Sequence, residues 1–339
     1  MSKVLKNFVG IDISKTWFDA AIISPNNGSE AFHQQFVQTP EGYYKFKQWL
    51  CHHAVLINEE TLLCMEYTGV YNTGLVQFLV KEKAHLWVEM PLRIKRASGL
   101  QRGSDDRSAA HKIAWYALRY ADQAKLWKPC DTSIERLRHL ITQRERIVNS
   151  LKHLTVPLEE LKQCGCIADA KLVEQSQKPA IKGLKAAKEK IESLIAKIVQ
   201  QEEQLCKKVK FAQSVNGIGI VTATALLVYT KGFTAFDNAK QMACYCGVVP
   251  FSKTSGSSVR YKPSVSPFAN MKLKKLLHLC AMSAIQNDAE LKLYYQRKIL
   301  EGKNKMSVIN AVRNKLVHRV FAVVRDERIF EDKYAANCA

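Results

Sequence analysis

The sequence predicts an α/β N-terminal domain, then a helical coiled-coil region, then a mainly α C-terminal domain. Over residues 1–130, short β-branched and aromatic runs alternate with helical patterns. Between 140 and 205, leucine and isoleucine recur at spacings of three and four among Glu, Lys and Arg. From 211 onward apolar helices flank a Gly/Ser-rich stretch. The expected domains are therefore 1–130, 131–210 and 211–339.

In the first domain, NFVGIDI (7–13) and FDAAIIS (18–24) read as strands joined by a turn, and EAFHQQFVQ (30–38) as a third. Thr39 caps a helix running to about 54, with Glu41 in its first turn. TLLCMEYT (61–68) is a buried strand by its apolar run. Residues 71–82 are helical, AHLWVEM (84–90) is a strand and 105–122 is a helix. Three strands followed by alternating helix and strand make a mixed sheet.

In the second region, Leu140, Ile147, Leu151, Leu154, Leu158 and Leu161 form one seam, with Arg144 in place of its missing apolar position. Leu184, Ala187, Ile191, Leu194, Ile198 and Leu205 form another. Pro157 is expected to kink or break the first run, and residues 164–180 to be a weaker connection. Such seams serve dimerisation or arms; an intramolecular helical hairpin competes. In the third, SVNGIGIVTATALLVY places Gly217 and Gly219 before an apolar helix. This resembles a helix-hairpin-helix turn, whose backbone N–H groups contact phosphate; a plain tight turn is the alternative. PFSKTSGSSVRYKPS (250–264) reads as a flexible loop, and helices follow to about 328.

The 339 residues carry 51 Lys plus Arg against 31 Asp plus Glu, a net charge of +20. With 47% hydrophobic residues the chain is not largely disordered. No apolar run approaches the ~18 residues that span a bilayer, and the basic helices lack the aromatic apolar face of a membrane-surface protein. A nucleic-acid partner fits the charge best. Residues 1–132 hold 16 basic and 13 acidic side chains, whereas 250–325 hold 15 and 3, so the C-terminal half is the better phosphate-contacting candidate. The ten cysteines form no CxxC pair and read as buried, reduced thiols. They and the absence of a signal segment point to the cytoplasm.

Asp12 ends the first strand, Glu66 lies in the fourth, and Asp105 and Asp106 open the helix beginning GSDDRS. An acid on the first strand, one on the fourth and one on a later helix is the layout of ribonuclease-H-like nucleases. Two Mg²⁺ ions ~3.5–4 Å apart need several converging carboxylates. Singly, each acid is equally explained as a strand-end or helix-N-terminal residue.

GIDISK, MEYTGVY and GLQRGSDDRSAAHKIAWYA, in that order, resemble the N-terminal domain of the DEDD-type insertion-sequence transposases, the IS one-hundred-and-ten family. NGIGIVTATALL, FDNAKQMACYCGVVPFSKTSG and NMKLKKLLHLCAMSA resemble its C-terminal domain. The resemblance implies a RuvC-like N-terminal fold with four acids and a C-terminal serine, in a Ser-Gly motif, that attacks DNA. It also implies a structured bridge RNA that pairs with donor and target DNA, which leaves the protein to read backbone and shape. A prokaryotic host and a homo-oligomer, dimeric or tetrameric on DNA, are further implications.

Carried over residue by residue, Asp12 and Glu66 are the first two acids. Ile113 and Ala114 set the register that makes Asp106 the third. The fourth position is Ala109, which cannot ligate a metal. An engineered replacement is preferred to a natural loss, and Asp105 is a poor substitute because i and i+1 point about 100° apart. The Ser-Gly motif makes Ser255 the nucleophile, with Gly256 admitting a phosphate closely. Arg260, Lys262 and Lys272 are placed to neutralise that phosphate, and Lys274 and Lys275 extend the basic surface. Mg²⁺ is the expected cofactor. The competing functions are a structure-selective RuvC-like nuclease and a catalytically dead RNA- and DNA-binding relative.

Overall fold

A computed structural model describes residues 5–24, 32–97, 106–129, 131–255 and 259–331. The chain forms two compact units, Met1–Pro129 and Cys130–Ala339.

The first unit is built on a five-stranded sheet of order β3-β2-β1-β4-β5. Its strands are β1 (Asn7–Ile13), β2 (Trp17–Ile23), β3 (Phe32–Val37), β4 (Thr61–Glu66) and β5 (His85–Glu89). β1, β2 and β3 pair antiparallel, while β4 and β5 join parallel to β1.

Helices α1 (Pro40–His52) and α2 (Thr73–Lys81) cover one face, closing over Val9, Ile11, Phe18, Leu63 and Met65. The Thr39 hydroxyl accepts from the Gly42 N–H and starts α1 as its sequence requires. A short α3 (Pro91–Ala97) and the longer α4 (Asp106–Arg119) lie on the other face, where Phe8, Leu62, Cys64 and Trp87 meet Ile113 and Ala117. Gly10 of β1 lies directly beneath α4. A Cβ there would run into the Ala110 carbonyl and the Ala114 amide, so the helix approaches the sheet at backbone distance.

The second unit begins with α5 (Thr132–Gln163) and α6 (Ile167–Gln201), paired as an intrachain hairpin. Two expectations are corrected here. α5 runs unbroken through Pro157, and the supposed weak connection is largely helix, reduced to a turn at Gly165 with φ +82°. Proline removes one N–H, but packing continues beyond it: Leu158 of α5 and Ala170 of α6 are buried. The second seam holds at Ile191, Ile198 and Leu205, which pack on the core, but departs from expectation at Leu194. Leu194 is 41% exposed, and Ile195 and Val199 are buried instead. Arg144, at the missing apolar position, pairs with Glu192 at 2.7 Å across the hairpin.

The hairpin base shares one core with α7 (Glu203–Gln213), α8 (Ile220–Tyr229), α9 (Ala239–Tyr245), α10 (Met271–Asn287), α11 (Ala289–Leu300) and α12 (Lys305–Arg325). The segment expected to be a loop is a β-hairpin, β6 (Pro250–Ser255) with β7 (Val259–Val265). Among the described cysteines, Cys64, Cys246 and Cys280 are buried. Cys51, Cys164 and Cys166 are exposed, contrary to the expectation of buried thiols.

Candidate active site

Strand alternation puts Asp12 on the face of Gly10, under α4. Asp12 pairs with Asp19 across β1–β2, and Asp19 with Gln35 across β2–β3. On the other side, the parallel β1–β4 register reaches Ile11–Met65, so its next step sets Asp12 beside Glu66. Glu66 pairs with Glu89. The sheet therefore carries Asp19, Asp12, Glu66 and Glu89 as one transverse row on one face. Asp19 and Glu89 were not singled out from sequence, since only cross-strand register brings them into line.

The two outer acids are satisfied by the protein. Asp19, 3% exposed, bonds to the His33 imidazole Nε2 at 2.9 Å and accepts from Gln35 Nε2 at 3.0 Å. The His33 ring stacks on His111 of α4. Buried Glu89 accepts from the Met90 N–H at 2.7 Å, from Arg93 at 3.3 Å and from the Tyr116 hydroxyl at 3.4 Å. Burial and then the Glu89 charge push the Tyr116 hydroxyl up to about 12.

The inner pair is different. Asp12 and Glu66 are both half-buried. Burial first, and Asp12 second, hold the Glu66 carboxyl above the usual carboxylate range. The loop after Glu66 is fixed by buried Asn72. It accepts from the Thr68 N–H at 2.7 Å and hydroxyl at 2.6 Å, and donates to the Glu66 carbonyl at 2.7 Å.

Two adjacent carboxylates, of which Glu66 has its proton affinity raised in part by the Asp12 charge, offer only oxygen donors and fit a hard divalent cation. Among the described residues no third His, Cys, Asp or Glu side chain completes a metal-binding group. Asp106 is the first residue of α4, but its side chain lies outside the described part, as does all of Asp105. Ala109 sits one turn along α4 and offers no ligand.

In the second unit, Ser255 is the last residue of β6, and Arg260 and Lys262 lie on β7. Their side chains, too, lie outside the described part. Gly217, with φ +88°, and Gly219, preceding α8, form the turn between α7 and α8. A Cβ on Gly217 would approach the Cys280 carbonyl to 2.6 Å, so the turn packs tightly on α10. Lys272 is not a free cation: its ammonium pairs with Glu145 of α5 at 2.6 Å. Lys274 is half-buried and Lys275 exposed.

Two family models match the chain. The DEDD transposase model covers residues 9–161, and that of the Transposase IS116/IS110/IS902 family covers 209–296. The pilin gene-inverting proteins of Moraxella lacunata and Moraxella bovis are each 25% identical over 334 residues, spanning 97% of this chain and 98% of theirs. An insertion element IS110 protein of 43.6 kDa from Streptomyces coelicolor is 29% identical over 123 residues, 36% of this chain and 30% of that protein. Among solved structures, T. thermophilus RuvC in complex with a Holliday junction substrate covers 36% of this chain and 99% of its own, with a TM-score of 0.28 and 11% identity.

An α/β unit with a row of acids, followed by a helical unit and matched by transposase models in both, is a transposase. The chain belongs to the IS110 family of insertion-sequence transposases.

Proposed function

We propose that the chain is an RNA-guided DNA transposase in which carboxylates of the first unit and Ser255 of the second cut and rejoin donor and target strands. The observation that carries the reading is the Asp12–Glu66 pair, two like charges locked side by side by strand register. Asp12, Glu66 and Asp106 would hold Mg²⁺. When bound, the ion supplies charge neutralisation at a phosphodiester. Strand register fixes the backbone of Asp12, and Asn72 that of Glu66, which supports a pre-positioned pair.

Ser255 carries the covalent step. Its hydroxyl oxygen bonds to phosphorus and loses its proton, while the departing sugar oxygen leaves phosphorus and takes one up. A sugar hydroxyl of another strand end reverses the exchange and frees the serine. The number of phosphoester bonds is conserved, so no energy source is needed. The name of the full-length Moraxella relatives, which describes gene inversion, supports recombination over simple cleavage. The net charge of +20 supports polyanionic partners, DNA and a structured guide RNA. The exposed apolar side chains of the α5–α6 hairpin, Val156, Ile167, Leu172 and Leu194, support a homo-oligomer.

Ala109 weakens the acid set, so the test uses Ala109→Asp. With the element's RNA, donor and target DNA and Mg²⁺, this variant should form recombinant product, and leaving out the RNA should abolish it. Cleavage of branched DNA without RNA would favour the structure-selective nuclease. Binding without any product would favour a catalytically dead nucleic-acid-binding relative.

A further inference from the structure

Arg313, in the middle of α12, is 6% exposed, yet among the described residues no carboxylate pairs with it. Its guanidinium donates to Nδ1 of His278 at 2.5 Å and weakly to the Asn310 side-chain oxygen at 3.4 Å. Its Nε–H is buried with no acceptor. A buried arginine normally has an anionic partner, because an uncompensated charge in the interior is strongly unfavourable.

The neighbours add positive charge. Burial and the Arg313 charge both lower the proton affinity of Lys274 and of His278, each on α10. Arg313 itself is lowered by burial alone. With Nδ1 accepting from Arg313, a neutral His278 carries its proton on Nε2, a further donor.

The cluster sits beneath the segment that enters β6. The Lys274 side chain passes 3.4 Å from where a Cβ of Gly247 would stand, and Asn310 donates to the Val248 carbonyl at 2.8 Å. Arg313, the half-buried Lys274 and the His278 ring thus lie together beside Gly247 and Val248, just ahead of β6, with one buried donor unused.

We propose that Arg313, Lys274 and His278 form a binding site for one phosphodiester group of a nucleic-acid strand held beside the β6–β7 hairpin. Arg313 supplies the buried charge at the floor, and Lys274 and His278 supply donors at the rim. The assignment of the anion to a nucleic acid rests on the function proposed above; the anion site itself does not.

Thermal unfolding of the full chain, titrated with inorganic phosphate against chloride at matched ionic strength, tests the site. Phosphate should raise the Tm of the native chain and leave Arg313→Met unmoved. In chloride, Arg313→Met should be no less stable than the native chain, because an unpaired buried charge has been removed. Should Arg313→Met fail to fold, Lys274→Met at the rim is the second variant, and it should lose most of the phosphate response. An equal phosphate response in native and variant chains, or none in the native chain, would overturn the site.

Binding of single-stranded DNA and RNA oligonucleotides across a salt series tests the ligand. Arg313→Met or Lys274→Met should weaken binding of at least one and reduce its log–log salt slope by about 1. Which of the two responds identifies the strand. Unchanged slopes for both, with the phosphate response intact, would overturn the phosphodiester assignment. A native chain that responds to phosphate but binds neither oligonucleotide would instead overturn the proposed function.

Discussion

Gly10 of β1 and Ala114 of α4 touch through their backbones, and no side chain fits between them. That contact fixes the height of α4 above the sheet, and with it the height of Asp106 above the row that holds Asp12. Gly10→Ala should therefore lower unfolding stability by roughly 1–3 kcal/mol or more, as overpacking does, with a matching loss of cation affinity. The control is Gly183→Ala within α6, where a Cβ meets nothing. There, helix propensity predicts a gain of about 0.5–1 kcal/mol. Denaturant midpoints check both.

Asn72 is the second point of control. Asn72→Ala would strip the Thr68 N–H and the Glu66 carbonyl of their partners. Buried groups left unpaired cost about 1–3 kcal/mol each. Urea unfolding should register that loss, and a Mn²⁺ titration should show weaker binding although no proposed ligand has changed.

The pH dependence follows from Glu66. Its folded-state proton affinity is raised, so its contribution is fully present below the unfolded carboxylate value and is lost as pH rises through the folded one. At neutral pH without a divalent cation, the ionised Glu66 opposes folding. Glu66→Gln should then raise the Tm by a few degrees at pH 7, and the gain should vanish in acid below both values. Adding a divalent cation should stabilise the native chain and not the variant.

In the second unit, Asp288 is a fully buried carboxylate paired with Arg319 at 2.7 Å. It also caps α11 by accepting from the Leu291 N–H at 2.9 Å. Asp288→Ala should destabilise by about 3–5 kcal/mol, since among the described residues it leaves Arg319 with the half-exposed Glu290 as its one carboxylate. Chemical denaturation provides the check.

The strands of the first unit were legible because each is a short β-branched or aromatic run, and the start of α1 because Thr39 is a good cap. Asp12 and Glu66 stood out as acids within apolar strands. Asp19 and Glu89 did not, because their meaning depends on which residues lie opposite them. The β6–β7 hairpin was hidden by its serines and glycines: Val259 and Tyr261 alternate among polar residues that also suit a loop. A break at Pro157 was the wrong half of the expected kink or break, because local propensity says nothing of the partner helix. Arg313 was not singled out, since the sequence shows its charge and not its burial.

The most direct test of the central claim is a denaturing gel for protein–DNA adduct, run on Ala109→Asp with RNA, donor and target DNA and Mg²⁺. An adduct is expected from this variant, and none once Ser255→Ala or Asp12→Asn is added. An adduct that survives Ser255→Ala would contradict the assignment of the covalent step to Ser255.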